Sequence, residues 1–307
     1  MKFFILGGTG FIGGPLIRHI IRAGHEVTAL ARSRARAGSL PPQAISLIGD
    51  PLKPGKWQDV ASQADIIVNL VGRPIMTRWT KTARKEIMRS RILATRMAVA
   101  SISPDRAEQM TLINANAVGY YEGEGDTFIT EESLPGSGFL AEVARRWQQE
   151  AEIASEKGAR VIIPRFGAVL GKGGGALAKM LPPFRLGIGG KLGDGTQWFS
   201  WIHIHDLVNA LLFVSAEKKI AGVVNMCSPE PVTNLELTRT LAKVLNRPAV
   251  LPVPGIMLKL LIGGSAEIAL KGQRVIPEIL KRAGYIFEFP TLEGALIDLV
   301  GGSRSKS

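Results

Sequence analysis

Glycines stand at 7, 10 and 13 in the run Gly7-Gly8-Thr9-Gly10-Phe11-Ile12-Gly13. This spacing suits a chain that turns tightly, lets its backbone approach a bound group and then begins a helix. Gly7 permits the turn, Gly10 leaves room for the approach, and Gly13 lets the helix pack close to the preceding strand. The free N–H groups and partial positive charge at a helix start favour phosphate oxygens. The expected ligand is therefore the diphosphate of a dinucleotide, held by Gly7, Thr9, Gly10, Phe11, Ile12 and Gly13. The competing reading is a tight strand-to-helix turn with no ligand.

The end of the second strand selects the dinucleotide. NAD sites usually place an acid there, to accept hydrogen bonds from the ribose hydroxyls. This chain has Ala31-Arg32-Ser33-Arg34 instead. An arginine pairs with a 2′-phosphate that an acid would repel, so NADP(H) is favoured over NAD. In an NAD site, Arg32 would instead stack on the adenine. Asp50, after the third strand, is placed to meet the adenine edge. Leu70, Val71 and Gly72 end the fourth strand, where backbone passes close to the cofactor. Asn114 and Ala115 at the fifth strand's end, with Arg165 and Gly167 at the sixth, complete the expected cofactor set.

These residues need a frame that brings strand ends together. The first half alternates short apolar runs with helical patterns. Strands are expected at Phe3–Leu6, Val27–Ala31, Ala44–Ile48, Ile66–Val71, Met110–Asn114 and from Val161. Between them, i, i+4 apolar spacing at Ile12, Leu16, Ile20 and at Ile17, Ile21 predicts a helix ending at Gly24. Longer helices are expected over Lys81–Ile102 and Gly138–Lys157. Strands apolar on both faces and separated by helices imply a parallel sheet covered on both sides. The fold class is α/β: a Rossmann-type doubly wound sheet with a smaller mixed α/β subdomain.

Residues 1–170 are assigned to the dinucleotide-binding domain, with 196–222 returning to it. Residues 171–300 form the smaller subdomain, and 301–307 a frayed tail. The second half is richer in glycine, with runs at 171–175 and 187–195 around a short helix near Ala176–Phe184. Trp198–Ile204 reads as a strand and Asp206–Ala216 as a helix. Further helices are expected at Leu235–Leu245, within Val253–Leu270 with a break at Gly263-Gly264, and at Pro277–Ala283.

Composition excludes several classes. The chain has 307 residues, 46% hydrophobic and 21% charged, which is ordinary for a globular protein. A single cysteine, Cys227, excludes intrachain disulfides and multi-cysteine metal sites and suits a reducing, cytoplasmic setting. No apolar run is long enough to span a membrane. The net charge of +12 is local: Arg32–Arg36, the stretch Arg73–Arg96 with eight bases against Glu86, and the tail account for all of it. That argues against nucleic acid as a partner. It leaves Arg73–Arg96 as either a solvated face or an anion site.

The segments GGTGFIG, Ser90-Arg91-Ile92, AVGYY (117–121), FLAEVARRW (139–147), VLGKGGGALAKMLPPFRLGIGG (169–190), GTQWFSWIHIHD (195–206) and LKGQRVIPEILKRAGYIFEFPTLEGAL (270–296) resemble the extended short-chain dehydrogenase/reductases. More narrowly, they are similar to the atypical branch labelled epimerase family protein, which carries a C-terminal region of unassigned function. The resemblance implies an oxidoreductase or epimerase acting on a small, sugar-nucleotide-like substrate, as a monomer or homodimer. Some relatives carry cell-division-inhibitor labels. These imply the alternative of a non-catalytic, NADP(H)-sensing regulator.

The superfamily uses Ser, Tyr and Lys to move a proton while hydride is transferred. This chain departs at all three positions. Asn116 stands where the serine belongs, and the Tyr-x-x-x-Lys pair falls near 139–144, where the chain reads Phe139-Leu140-Ala141-Glu142-Val143-Ala144. The remaining catalytic candidates are Asn116, Tyr120 and Tyr121, each with packing as the alternative. Glu142 is a carboxylate base or an exposed helix residue. Gln197 and Trp198, after a glycine-rich loop, stack on a sugar or base or else pack the subdomain interface, and Arg185 reaches an anionic substrate or solvent. His203-x-His205-Asp206 has metal-like spacing, but no third ligand is evident and no metal is expected.

Overall fold

The computed structural model describes residues 1–123 and 125–301. The tail expected at 301–307 lies outside them except for Gly301.

The elements follow the apolar periodicity. In the first half they are β1 (Lys2–Leu6), α1 (Gly13–Arg22), β2 (Glu26–Ala31), α2 (Arg34–Ala37), β3 (Ile45–Ile48), α3 (Trp57–Ala61), β4 (Ile66–Asn69) and α4 (Lys81–Ala100). Next come β5 (Thr111–Asn114), β6 (Asn116–Ala117), β7 (Phe128–Ile129), α5 (Gly138–Glu156), β8 (Arg160–Phe166), β9 (Ala168–Gly171) and α6 (Gly175–Arg185). Then β10 (Trp198–Phe199), β11 (Trp201–His203), α7 (Ile204–Ala216), β12 (Gly222–Met226), β13 (Val232–Thr233) and α8 (Asn234–Leu245). The chain closes with α9 (Gly255–Ile262), α10 (Glu267–Leu270), β14 (Arg274–Val275), α11 (Glu278–Arg282) and α12 (Leu292–Val300).

The central sheet runs β12-β8-β5-β4-β1-β2-β3, all parallel, with β6 pairing β8 as well. Strand order reverses between β1 and β4, and a ligand crevice is expected at such a reversal. β4 and β5 are buried throughout, because helices cover both sheet faces. One face buries Leu16, Ile17 and Ile20 of α1 with Leu207, Val208 and Leu211 of α7. The other buries Ala98 and Val99 of α4 with Ala151 and Ala154 of α5. The edge strand β3 differs from the both-faces-buried expectation, since Ile45 and Ile48 are exposed.

The second half adds its own small core of Leu177, Phe184, Trp201, Leu237, Leu241 and Leu296. The segment that returns to the main sheet extends through β12, beyond the expected limit at 222. The single strand expected at Trp198–Ile204 is two. Ser200 turns the chain between β10 and β11 by donating to Gln273 O and accepting from Val275 N, and Ile204 already opens α7. The break at Gly263-Gly264 is a 3-10 turn between α9 and α10.

Candidate functional site

The loop between β1 and α1 forms a backbone cradle at the strand-order reversal. Gly7 has φ +86°, open to glycine but strained for other residues, and a Cβ there would stand 3.0 Å from Leu70 C. Gly10 N donates to Gly7 O at 3.0 Å and closes the turn. Gly10 is exposed, and a Cβ on it would meet only Gly7 O, so its outer side is open. At Gly13 a Cβ would lie 2.3 Å from Gly7 O, so only glycine lets α1 start against the loop. The helix start has no side-chain cap and no acid in its first turn. Nothing there competes with an anion for the N-terminus.

Phe11 has a role that spacing did not reveal. Its ring fills the hollow of the second glycine run, and a Cβ on Gly171, Gly174 or Gly175 would come within 2.8 Å of it. Those glycines are steric necessities imposed by Phe11. Ile12 packs on the core beside α1.

At the end of β2, Arg32, Arg34 and Arg36 are exposed. Ser33 accepts from Arg36 N and caps α2. No acid stands among residues 31–38. Asp50 Oδ1 accepts from Leu52 N at 3.0 Å in a local turn. Leu70 and Val71 pack on opposite faces of the sheet, while Gly72 is exposed above the Arg91 guanidinium.

Asn114 does not face the cleft as expected. It is fully buried in a polar knot: Asn69 Nδ2 donates to Asn114 Oδ1 at 2.8 Å and to Thr95 Oγ1 at 3.1 Å, and Trp147 Nε1 donates to Thr95 Oγ1 at 2.9 Å. Ala115 is buried with it. The knot ties β4 and β5 to α4 and α5, since a buried amide left without partners would be costly.

Two of the three catalytic candidates are also structural. Asn116 is buried in β6, where Nδ2 donates to Ala144 O at 2.9 Å and Oδ1 accepts from Ala117 N. Tyr121 is buried and its hydroxyl donates to Asn225 Oδ1 at 2.7 Å; burial pushes its pKa up to about 12. Tyr120 differs: its ring is half-buried, and its hydroxyl has no hydrogen bond among the described residues. Leu140 packs toward Gly119, and Ala144 lies one helical turn further along the same face, meeting Asn116. No proton-moving side chain stands at either position.

Arg165 is corrected as well. It is buried, its Cζ lies 3.4 Å from the Tyr120 ring centroid and 4.6 Å from that of Tyr121, and Nη2 donates to Gln148 Oε1. The guanidinium packs against both tyrosine rings, and its Nε and Nη1 are buried with no hydrogen-bond partner among the described residues. Gly167 is glycine because a Cβ would press on Ser200 O at 2.9 Å.

The proposed substrate residues fare unevenly. Gln197 Nε2 donates to Leu192 O and Ala269 O, which makes it a loop cross-link. Trp198 donates to Asp126 Oδ1 at 2.9 Å and lies under Arg274, so it packs the subdomain interface. Arg185 is exposed. Glu142 pairs with Arg146 at 2.8 Å on the outer face of α5. His203 Nδ1 accepts from His205 N to cap α7, and its ring packs at a tilt against Phe289. Asp206 accepts from Glu288 N and Phe289 N, fastening the C-terminal segment to α7.

Residues 3–227 match the NAD dependent epimerase/dehydratase family, and residues 253–299 match a domain of unknown function. The chain is 40% identical over 300 residues to the chloroplastic epimerase family protein SDR39U1 homolog of Arabidopsis thaliana, covering 96% of this chain and 86% of that protein. It is 38% identical to the epimerase family protein SSP1921 of Staphylococcus saprophyticus, covering 97% and 99%. Among solved structures, the human epimerase family protein SDR39U1 with NADPH superposes with a TM-score of 0.85 at 32% identity, covering 98% of this chain and all of that one. The chain belongs to the NAD dependent epimerase/dehydratase family. No helix of the described residues is long and apolar enough to cross a membrane.

Proposed function

We propose that this family member binds NADP(H) in the β1–α1 cradle and works through the bound cofactor without the superfamily's tyrosine proton relay. Cofactor choice is supported by the basic, acid-free end of β2 and by the similar human protein crystallised with NADPH. The cradle fits: Gly10 leaves room outside the turn, and the helix start is uncapped. The Arg32 guanidinium would hold the 2′-phosphate and Asp50 the adenine edge.

One observation carries the reading of its action. The two helix positions beside the strand ends are Leu140 and Ala144, and Asn116 and Tyr121 are locked in buried hydrogen bonds. Bound NADP(H) supplies hydride, but these four residues supply no proton. This favours a protein whose output follows cofactor occupancy or redox state.

A second reading keeps catalysis. Tyr120 is half-buried beside Leu140's neighbour Gly119, its hydroxyl has no hydrogen bond among the described residues, and it is the remaining one of the three candidates to act as acid in an oxidoreductase or epimerase step on a small, sugar-nucleotide-like substrate. Following nicotinamide absorbance while the protein meets NADPH or NADP+ and a panel of sugar nucleotides decides between the two. Cofactor binding without turnover supports the first. Turnover that Tyr120→Phe abolishes, with NADPH affinity intact, establishes the second.

A further inference from the structure

The exposed apolar side chains are not spread evenly over the surface. Of the sixteen large ones exposed among the described residues, seven fall within 186–188 and 250–260. Leu186, Val250, Leu251, Ile256, Met257 and Leu260 are each 49–76% exposed. On α9, Ile256, Met257 and Leu260 stand at i, i+1 and i+4, which puts them on one helix face. Single exposed apolar side chains are ordinary on a protein surface, but a contiguous patch marks an interaction site.

Backbone contacts join the two segments into one surface. Val253 N donates to Lys191 O and Gly193 N to Val253 O, both at 2.9 Å. Gly190 abuts Leu251, and a Cβ on Gly187 would lie 3.5 Å from Pro248 Cγ. Arg247 Nε donates to Arg185 O at 3.3 Å. The far end of α9 is set against the dinucleotide-binding half. A Cβ on Gly264 would stand 3.3 Å from Trp79 Cε3, and one on Gly263 3.6 Å from Arg78 Cγ. The apolar face of α9 is thus displayed on a frame held at both ends.

The surroundings of the patch carry one sign of charge. Residues 172–193 contain four bases and no acid, and so do residues 237–266. Residues 73–85, which meet the far end of α9, add five bases and no acid. Arg185, Arg239 and Arg247 are exposed and pair with no acid among the described residues, while Lys243 is balanced by Glu293 at 2.7 Å. Arg239, Lys243 and Arg247 line one open pocket with Pro248 and Ala249, next to Val250. The basic stretch that begins at Arg73 thereby borders the apolar patch from its other side.

We propose that this face docks on the surface of a bilayer carrying anionic lipid headgroups. The exposed face of α9, with Leu186, Val250 and Leu251, sets into the interface, and the flanking arginines meet headgroup phosphates. The chain lies on the bilayer and does not span it. Apolar side chains rimmed by arginine and lysine suit such an interface, because the first enter the acyl boundary while the second face negative charge. Charge argues against a second copy as occupant. A two-fold contact would set each acid-free basic segment against its own likeness.

The test is flotation of the full-length protein with vesicles of phosphatidylcholine alone and of phosphatidylcholine mixed with phosphatidylglycerol, across a salt series. Three variants run beside wild type: Ile256→Ser with Leu260→Ser, Arg239→Gln with Arg247→Gln, and Ile286→Ser, an exposed residue outside the patch. Melting of each is followed in solution. Wild type is expected to bind anionic vesicles about 10-fold or more better than neutral ones, and less well as salt rises. The α9 double variant should lose about 10-fold or more of that binding, and the arginine double variant most of the preference for anionic vesicles. Melting should hold in all three, and Ile286→Ser should stay within about 2-fold of wild type. Wild type that stays off anionic vesicles overturns the proposal and leaves the face to a protein partner. Full binding by the α9 double variant also overturns it, since adsorption would then follow net charge alone. So does a wild-type dimer in lipid-free solution that the α9 double variant splits, which would assign the face to a second copy.

Discussion

Gly13→Ala and Gly14→Ala change neighbouring residues by the same methyl group, yet they should act in opposite directions. At Gly13 the added Cβ would stand 2.3 Å from Gly7 O, 2.7 Å from Gly8 Cα and 2.8 Å from Gly8 C. Relaxed contacts between carbon atoms lie near about 3.5–4.0 Å, so the overlap is on the order of 1 Å. All three obstacles are backbone, so none can swing aside as the end of a side chain can. Overpacking of this kind costs roughly 1–3 kcal/mol. At about 2–4 °C per kcal/mol for a large domain, melting should fall by roughly 2–12 °C. Shifting α1 away from the turn should also weaken NADPH binding by about 10-fold or more, since positioning of the helix start carries the anion site. At Gly14 the nearest atom is Arg18 Nη1 at 3.7 Å, a side-chain end that can move. Alanine there removes unfolded-chain freedom and should stabilise by about 0.4–1 kcal/mol, with NADPH affinity unchanged. Thermal melting and NADPH titration of both variants check this. Gly13→Ala melting with wild type, or both variants shifting the same way, would refute the steric account of the cradle.

Arg32→Asp should weaken NADPH far more than NADH in paired titrations, because a carboxylate would face the 2′-phosphate; equal loss of both would remove that assignment. Tyr121→Phe leaves Asn225 Oδ1 without its buried donor and should cost about 1–3 kcal/mol in denaturant unfolding while NADPH affinity holds. Lost affinity at unchanged stability would put Tyr121 back in the site. His203 must keep Nδ1 unprotonated to accept from His205 N, and burial pushes its pKa down to about 4, with Asp298 opposing and His205 and Lys172 adding to the shift. The unfolded chain takes the proton near the ordinary value of about 6.5, so this stability is full above pH 6.5 and is lost as pH falls toward 4, up to about 3 kcal/mol. His203→Asn, which keeps an acceptor but does not titrate, should flatten the stability–pH slope across that window relative to wild type. Identical slopes would contradict this.

The cradle was legible because its signals are local: three glycines, a preceding apolar run and a following helical period lie within one short segment. The parallel sheet was legible for a related reason, since burial on both faces leaves near-continuous apolar strands such as Ile66–Val68. The polar residues at strand ends were not. Asn114, Asn116, Tyr121 and Arg165 all stand near the expected rim, but their partners Thr95, Ala144, Asn225 and Gln148 come from other elements. Chain position does not say whether an amide turns toward a cleft or toward a neighbouring helix. Gln197 and Trp198 were ambiguous for the same reason, and Leu192, Ala269 and Asp126 resolve them as cross-links.

The Phe11 ring seated in the second glycine run makes residues 11 and 171–175 a single unit of variation despite their distance along the chain. A side chain at 174 evicts the ring, and shrinking the ring opens a void beneath the start of α6. Changes at either place should survive only in pairs. Anyone tracing this fold into diverged chains, or grafting its cofactor loop onto another scaffold, must carry both segments together, because the loop has part of its floor in the other half of the molecule.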